Sequence, residues 1–220
     1  MGVEVVRYAP RNFPHLRRPV LLREEAIDLV LDVGAGDGSW AQSLRKGGYA
    51  GRIVSFEPLG ETTVDRDARW DWRVLALGDR PGRASLHVSA NRQSSSLLPM
   101  TNLHLRNAPE SEVVRSQDVE VARLDGLGIP GPEARVYLKL DVQGMELDVL
   151  RGSTQTLHAT RVVETELSAV ELYRGQALIG EVIQHLERAG FGLIGLETSF
   201  RDRSTGDLLQ ANGFFRKRSA

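Results

Sequence analysis

Carboxylates stand at or just after the ends of several apolar runs, the positions where an α/β protein most often keeps its chemistry. In an open parallel sheet, ligands bind outside the carboxyl ends of the strands. A carboxylate there can accept hydrogen bonds from a ribose, take a proton from a substrate or bind a cation. The sequence therefore predicts one polar cleft along this sheet edge, bordered by Asp32, Glu57, Asp79, Asp141 and Glu166.

The stretch LVLDVGAGDGSW, residues 29–40, predicts a strand, a tight glycine loop and a helix start. Such loops bind adenosine cofactors, but a dinucleotide fingerprint needs a third glycine where this chain has Ser39. Asp32 and Asp37 would also repel an anionic pyrophosphate. S-adenosylmethionine has no phosphate and carries a sulfonium and an ammonium. The loop therefore favours S-adenosylmethionine over the nicotinamide cofactor of a dehydrogenase.

Glu57 ends the next predicted strand, about 20 residues after the loop, where a carboxylate can accept hydrogen bonds from both ribose hydroxyls. It supports an adenosyl ligand of either kind. The residues predicted to bind the cofactor are Asp32, Gly34, Ala35, Gly36, Asp37, Gly38, Glu57, Pro58, Leu77 and Gly78.

Apolar runs alternate with helical patterns, and this order predicts a parallel, doubly wound α/β sheet. The last two strands follow each other through a polar turn and predict an antiparallel hairpin. Strands are predicted at 27–33, 51–58, 72–79, 134–142, 160–168, 191–200 and 208–216. Helices are predicted at 39–46, 60–70, 146–158 and 178–189.

The segment 80–127 interrupts this alternation and is predicted to be an insertion. Its two alternating runs, 83–90 and 117–127, should pair as a hairpin. Between them lies a long polar loop that carries His104, and loops of this length are often lids or binding loops.

Residues 1–26 form a predicted N-terminal arm that is rich in arginine and interrupted by prolines. Two interpretations stay open: a solvated arm, or a flap that touches substrate or cofactor. The arginines are Arg7, Arg11, Arg17, Arg18 and Arg23.

Composition limits the functional classes. The chain has 220 residues, 41% of them apolar, which suits a single domain over residues 1–220. A formal net charge of −1 argues against a nucleic-acid partner. The lack of cysteine excludes disulfides and thiolate chemistry. Without an apolar run long enough to span a membrane, we expect a cytoplasmic protein, and the sequence leaves a homo-oligomer open.

Several blocks, in order along the chain, resemble the FkbM family of S-adenosylmethionine-dependent methyltransferases. They are LDVGAGDGSWAQSLRKGGYAGRIVSFEP, VLALGD, SSSLLP, LKLDVQGMELDVLRG and ETELSAVELYRGQ. The K-L-D-V-Q-G-x-E block at 139–146 is the most specific of them. The resemblance implies a Rossmann-like class I methyltransferase fold, with a seven-stranded, mostly parallel sheet and a terminal antiparallel hairpin. It also implies O-methylation of sugars, polyketides or other secondary metabolites. Asn212 stands where family members often have an acid, so any role of that carboxylate is in doubt here.

Methyl transfer to a hydroxyl requires the acceptor oxygen to be in line with the methyl group and its proton to be removed. Three interpretations of Asp141 stay open: a metal ligand, a metal-free base or orienting group, or a structural residue that pairs with Lys139 or caps the following helix through the 143–146 amides. Glu166 lies on the neighbouring strand and could share Mg²⁺ with Asp141. His104 is a candidate base. The predicted catalytic residues are thus Asp141, His104 and Glu166, with Asp141 and Glu166 also predicted to bind metal.

We therefore expect an S-adenosylmethionine-dependent O-methyltransferase that acts on a hydroxyl of a sugar or saccharide with the help of a divalent metal. The aromatic content of 6% favours a polar acceptor. One alternative is a polyketide or lipid-linked acceptor. Another, from a different class, is a catalytically silent cofactor-binding accessory protein.

Overall fold

The computed structural model describes residues 14–60, 64–131 and 133–218. Its strands, in chain order, are β1 (Leu29–Val33), β2 (Arg52–Phe56), β3 (Trp70–Arg73), β4 (Ala76–Leu77), β5 (Gly82–Ser89), β6 (Val113–Ala122), β7 (Val136–Leu140), β8 (Thr160–Ser168), β9 (Phe191–Arg201) and β10 (Leu208–Lys217). Its α-helices are α1 (Arg18–Glu24), α2 (Ser39–Lys46), α3 (Asn102–Asn107), α4 (Glu146–Arg151), α5 (Thr156–Ala159) and α6 (Ile179–Arg188). None of these described helices is long and apolar enough to cross a bilayer.

Seven strands form the main sheet in the order β3-β2-β1-β7-β8-β10-β9. The first five run parallel, and β10 pairs antiparallel with both β8 and β9. This confirms the predicted fold class, including the terminal antiparallel hairpin. The order reverses direction at β1 and β7, which leaves a crevice at the carboxyl ends of these two strands.

The segment from 80 to 127 contributes to a second sheet with the order β4-β6-β5. Strands β5 and β6 pair antiparallel, as the alternating pattern predicts. The prediction of one strand over 72–79 is wrong. The main-sheet strand ends at Arg73, and β4 pairs instead with β6.

Two helix predictions need correction. Residues 64–69 are not helical, because the Asp67 carboxylate accepts the Arg69 amide and turns the chain into β3; residues 61–63 lie outside the described part. The predicted helix over 146–158 is split into α4 and α5. Gly152 separates them at a close approach, where a Cβ would lie 2.1 Å from the carbonyl oxygen of Gly78.

The helices cover both faces of the main sheet. Apolar side chains of α4, α5 and α6 pack on one face, and those of α1 and α2 pack on the other. Both cores are continuous with the buried strands β1 and β7, whose residues are all shielded from solvent. The strands that carry the polar residues at their ends are therefore packed between two apolar layers.

The described part of the N-terminal arm packs on the sheet, so this part is not a solvated arm. The guanidinium of Arg18 binds the buried carboxylate of Glu164 through both Nε and Nη2, and it lies over the Phe214 ring. The Tyr137 hydroxyl donates to the same carboxylate at 2.6 Å. Arg18 and Glu164 therefore join α1 to β8. Arg7 and Arg11 lie outside the described residues.

Candidate active site

The carboxyl ends of β1, β2, β7 and β8 open onto a cavity of about 470 Å³, a volume within the range of small-molecule sites. The cavity brings together all three residues predicted to be catalytic, Asp141, His104 and Glu166. It is also lined by most of the residues predicted to bind the cofactor: Gly34, Ala35, Gly36, Asp37, Glu57, Pro58 and Leu77.

The glycine loop follows β1 and crosses directly over the end of β7. The amides of Gly34 and Ala35 both donate to the carbonyl of Phe56. Gly34 has a φ of 74°, and a Cβ there would lie 1.8 Å from the carbonyl oxygen of Asp141. No side chain fits at this position, which explains the glycine. The loop amides then lead into α2.

Glu57 forms the adjoining wall and is itself held by the loop. Its carboxylate accepts hydrogen bonds from the amides of Gly36 at 2.9 Å and Leu59 at 3.0 Å. Burial raises the pKa of this carboxyl, and the two amide hydrogen bonds oppose that shift. Glu57 is thus fixed in one orientation beside the loop before any ligand binds.

Asp32 does not reach the cavity, which corrects its predicted role as a direct cofactor ligand. The strand register places Ser55, Asp32 and Lys139 side by side on β2, β1 and β7. Asp32 is completely buried, pairs with Lys139 Nζ at 3.1 Å and accepts from the Ser55 hydroxyl at 3.3 Å. Burial raises its pKa, while Lys139 opposes this.

Lys139 links the buried Asp32 to the residues of the cavity. Its ammonium donates to the carbonyl of Gly34 at 2.8 Å and lies 3.6 Å from Asp141 Oδ2. Burial lowers the pKa of Lys139, but the carboxylates of Asp32 and Asp141 outweigh it and leave the pKa raised. The lysine therefore stays charged and ties the glycine loop to β7.

Gly38 and Gly78 do not line the cavity either: Gly38 is the N-cap residue before α2, and Gly78 packs against Gly152. Asp37 does line it and is exposed. Hydrogen bonds from Ser39 lower the pKa of Asp37, so this carboxyl is ionised at neutral pH.

On the other side of the cavity, Asp141 and Glu166 are joined by a glutamine. Gln143 Nε2 donates to Asp141 Oδ1 at 2.8 Å and to Glu166 Oε2 at 3.0 Å. Gln210 Nε2 donates to the same Glu166 oxygen at 3.1 Å. Burial raises the pKa of Glu166, and the negative charge of Asp141 adds to this shift.

This donor set does not fit the predicted magnesium ion as it stands. A cation between Asp141 and Glu166 would have to occupy the region that the amide NH₂ of Gln143 fills, and an NH₂ group cannot be a ligand. Within the described ranges, no group of three or more histidine, aspartate or glutamate side chains has an arrangement that would hold a metal.

His104 reaches the cavity from α3. It is 4% exposed, and its ring packs edge-on against the Tyr173 ring, with 5.1 Å between the ring centroids. The centroid of the Phe200 ring lies 5.7 Å away. Nε2 lies 3.3 Å from the hydroxyl of Ser111, whereas no partner for Nδ1 is found in the described part of the chain. Burial lowers the pKa of His104, so the ring is neutral near pH 7.

The serine run is mainly part of the loop framework. Ser96 donates to the carbonyl of Gln143 at 2.6 Å, and Ser94 lies 2.9 Å from Ser111. Asn91 Nδ2 bonds to the hydroxyls of both Ser94 and Ser111 at 3.0 Å. These contacts fix the long loop against the turn that follows β7.

Sequence reasoning missed several polar residues of the cavity. Gln143 and Lys139 both lie inside the K-L-D-V-Q-G-x-E block, a signal that could have identified them. From the sequence, Lys139 is interpreted only as a partner of Asp141. Gln210 and Ser111 carry no sequence signal that links them to Glu166 and His104. Asn212 lies opposite Glu166 in the register of β10 and β8, but it does not line the cavity.

Comparison with known proteins assigns the family. The model of the methyltransferase FkbM domain matches residues 32–193, which include the glycine loop, Asp141 and Glu166. The chain belongs to the FkbM methyltransferase family. It is an S-adenosylmethionine-dependent methyltransferase, as the sequence predicted.

Among its relatives, this FkbM protein is 30% identical over 186 residues to the 2-O-methyltransferase NoeI of Sinorhizobium fredii, covering 77% of this chain and 75% of the relative. Solved structures with a similar fold are more distant. A methyltransferase from Mesorhizobium loti has 12% identity and a TM-score of 0.49, with 91% of this chain and 97% of that chain covered. Magnesium protoporphyrin IX methyltransferase from Synechocystis PCC 6803 has 12% identity and a TM-score of 0.47, covering 99% and 87%.

Proposed function

We propose that this FkbM protein is an O-methyltransferase that acts on a hydroxyl of a sugar or saccharide. The observation that carries the proposal is the meeting of Asp141, Glu166 and His104 in the cavity that also contains the glycine loop and Glu57. A methyl donor and a hydroxyl acceptor would thus share one cavity. The name of the relative NoeI, a 2-O-methyltransferase, supports transfer to oxygen.

S-adenosylmethionine, when bound, supplies a methyl group on a positively charged sulfur. In this proposal the glycine loop lies against the amino-acid part of the cofactor, and Glu57 accepts hydrogen bonds from its ribose hydroxyls. Glu57 can do this because, among the described residues, one amide donates to each of its oxygens, which leaves each oxygen a second lone pair. Pro58 and Leu77 provide an apolar wall for the adenine ring.

Glu166 is the side chain best placed to receive the proton of the acceptor hydroxyl. Its Oε2 is taken by two amides, while no hydrogen bond to Oε1 is found in the described part of the chain. Its raised pKa makes it a stronger base than an ordinary carboxylate. His104, whose pKa is lowered, is the weaker base, and we assign its Nδ1 to a hydrogen bond with the acceptor.

The carboxylate side of the cavity suits a polar acceptor. It presents the carboxylates and amides of Asp141, Glu166 and Gln210, with the Phe200 ring as an apolar surface. A polyhydroxylated ring can bond to such groups with several hydroxyls and place its C–H face on an aromatic side chain. A polyketide offers fewer hydroxyls to groups such as Glu166 Oε1, and a polar group that loses water without gaining a partner costs about 1–3 kcal/mol.

A methyl-transfer screen tests the proposal. The purified protein is incubated with S-adenosylmethionine and a panel of monosaccharides, oligosaccharides, hydroxylated polyketides and lipid-linked sugars, and products are detected by mass spectrometry. We expect a mass increase of one methyl group on saccharides and none with Glu166→Gln. Transfer to polyketides alone would replace the proposed acceptor class. Tight binding of S-adenosylhomocysteine with no transfer to any acceptor would favour the silent accessory protein.

A further inference from the structure

Gln143 is held rigidly in the turn between β7 and α4. Its φ is 53°, a left-handed conformation that costs a non-glycine residue free energy and persists only where the surroundings impose it. Its backbone carbonyl accepts the hydroxyl of Ser96 at 2.6 Å. Its side-chain Oε1 lies 2.8 Å from the hydroxyl of Tyr173, which is completely buried. Both the backbone and the far end of the side chain are therefore anchored.

The orientation of the Gln143 amide follows from its neighbours. Nε2 faces Asp141 Oδ1 at 2.8 Å and Glu166 Oε2 at 3.0 Å, and ionised carboxylates only accept hydrogen bonds. The reversed amide would place Oε1 against two carboxylate oxygens. Each N–H bond of this amide is therefore used on a different carboxylate.

This arrangement offsets the electrostatic repulsion between the carboxylates of Asp141 and Glu166. Two carboxylates at neighbouring strand ends raise each other's pKa unless a cation or hydrogen-bond donors lie between them. Here Gln143 provides the donors, and Gln210 adds a third N–H to Glu166 at 3.1 Å. Lys139 contributes positive charge on the other side of Asp141, at 3.6 Å from Oδ2.

We propose that Gln143 is a positioning residue that holds Asp141 and Glu166 together for the acceptor hydroxyl and takes the place that a bridging cation would have. The assignment of these carboxylates to the acceptor rests on the proposed function. The bridge itself rests on the contacts of the amide, so the two can fail separately.

The first experiment measures cation binding and needs no acceptor. Mn²⁺ binding to the protein saturated with S-adenosylhomocysteine is followed by electron paramagnetic resonance for wild type, Gln143→Glu and the matched control Gln184→Glu, an exposed residue of α6. We expect wild type and control to bind Mn²⁺ only weakly, at about millimolar concentrations. The third carboxylate in Gln143→Glu should tighten binding at least about tenfold, and a second substitution, Asp141→Asn, should remove this gain. Tight Mn²⁺ binding to wild type that Asp141→Asn abolishes would overturn the proposal.

The second experiment separates positioning from folding. With the acceptor found in the screen, Gln143→Leu should lower kcat at least about tenfold, while the KM for S-adenosylmethionine and the affinity for S-adenosylhomocysteine stay within about twofold of wild type. If Gln143→Leu does not fold, Gln143→Glu, which keeps the size of the side chain, should show the same loss without added metal and recover part of it with Mg²⁺. Unchanged kcat in a folded variant would contradict the positioning role. If wild type methylates no hydroxyl at all, the proposed function fails, and the Mn²⁺ measurement still decides the bridge.

Discussion

The cavity has two halves of different construction. The glycine-loop half (residues 34–37 with Glu57) is built mainly of main chain from the ends of two adjacent parallel strands, held by amide hydrogen bonds. The carboxylate half (Asp141, Gln143, Glu166 and His104) is made of side chains from separate segments, each fixed by contacts with the others. In the first half the backbone decides the geometry, whereas in the second the side-chain network does.

The two kinds of construction should respond differently to substitution. A main-chain loop tolerates no added atoms where it touches another strand, but its side chains contribute little. A protein that lacks one side chain of such a network still folds and loses mainly catalytic activity.

Gly34→Ala should cause the largest loss. Its Cβ would lie 1.8 Å from the carbonyl oxygen of Asp141, and the backbone has a φ of 74°. We expect a loss of about 3 kcal/mol or more in the free energy of unfolding, measured by urea denaturation, together with loss of S-adenosylhomocysteine binding. The control is Gly36→Ala, where φ is 57° but no atom lies within 4 Å, and the cost should be about 1–2 kcal/mol. Equal losses in the two variants would show that backbone strain, and not the strand contact, fixes the loop.

The same contrast explains what the sequence could predict. Glycine spacing, the glutamate at the end of β2 and the alternation of elements are local signals, so the glycine-loop half and the α/β class of the sheet could be predicted. The bridge from Gln143 to Glu166 joins the turn after β7 to β8, and the His104 ring packs against Tyr173 and Phe200. Such contacts depend on how distant segments pack, and no pattern along the chain specifies them. Asp32 shows the limit of the charge argument, because its charge is neutralised by a lysine on another strand.

Lys139→Met tests that neutralisation, which supports both halves. It would leave the completely buried Asp32 without its cation, and removing one partner of a buried ion pair costs about 3–5 kcal/mol. The double variant with Asp32→Asn should recover a large part of this loss, since no charge is then left unpaired. Urea denaturation of the single and double variants gives the coupling. Lys46→Met, at an exposed lysine of α2, should change stability by no more than about 0.5 kcal/mol. Additive losses in the double variant would contradict the pairing.

Glu166→Gln should affect chemistry far more than stability. Loss of a general base lowers turnover by about a hundredfold or more, whereas the affinity for S-adenosylhomocysteine should stay within about twofold, because Glu166 lies in the carboxylate half. His104→Gln should cost about tenfold, as expected for a hydrogen bond to the acceptor and not for the base. Glu120→Gln, on the exposed side of β6, is the matched control. A larger loss in His104→Gln than in Glu166→Gln would exchange their roles.

The smallest expected effect concerns Glu146, which supports the turn that carries Gln143. Its carboxylate is 6% exposed and accepts the amides of Val142 and Gly144, yet burial raises its pKa to about 7. In the unfolded chain this carboxyl titrates near its usual value of about 4.3. Between these two values the unfolded state loses the proton while the folded state keeps it, so the contribution of Glu146 to stability is greatest below about pH 4 and falls as the pH rises to about 7.

Glu146→Gln should remove this dependence. The difference in the free energy of unfolding between wild type and variant, measured in urea at several pH values from 5 to 8, should shift against wild type by about 2 kcal/mol as the pH rises, and then level off. Carboxylates distant from Glu146 affect both proteins alike, so the difference reports Glu146 together with Glu166, whose pKa the charge of Glu146 raises. A difference that stays constant with pH would mean that the amide hydrogen bonds offset the burial completely. The ionised carboxylate of Glu146 would then hold the turn that carries Gln143 by accepting main-chain N–H groups, as Glu57 does beside the glycine loop.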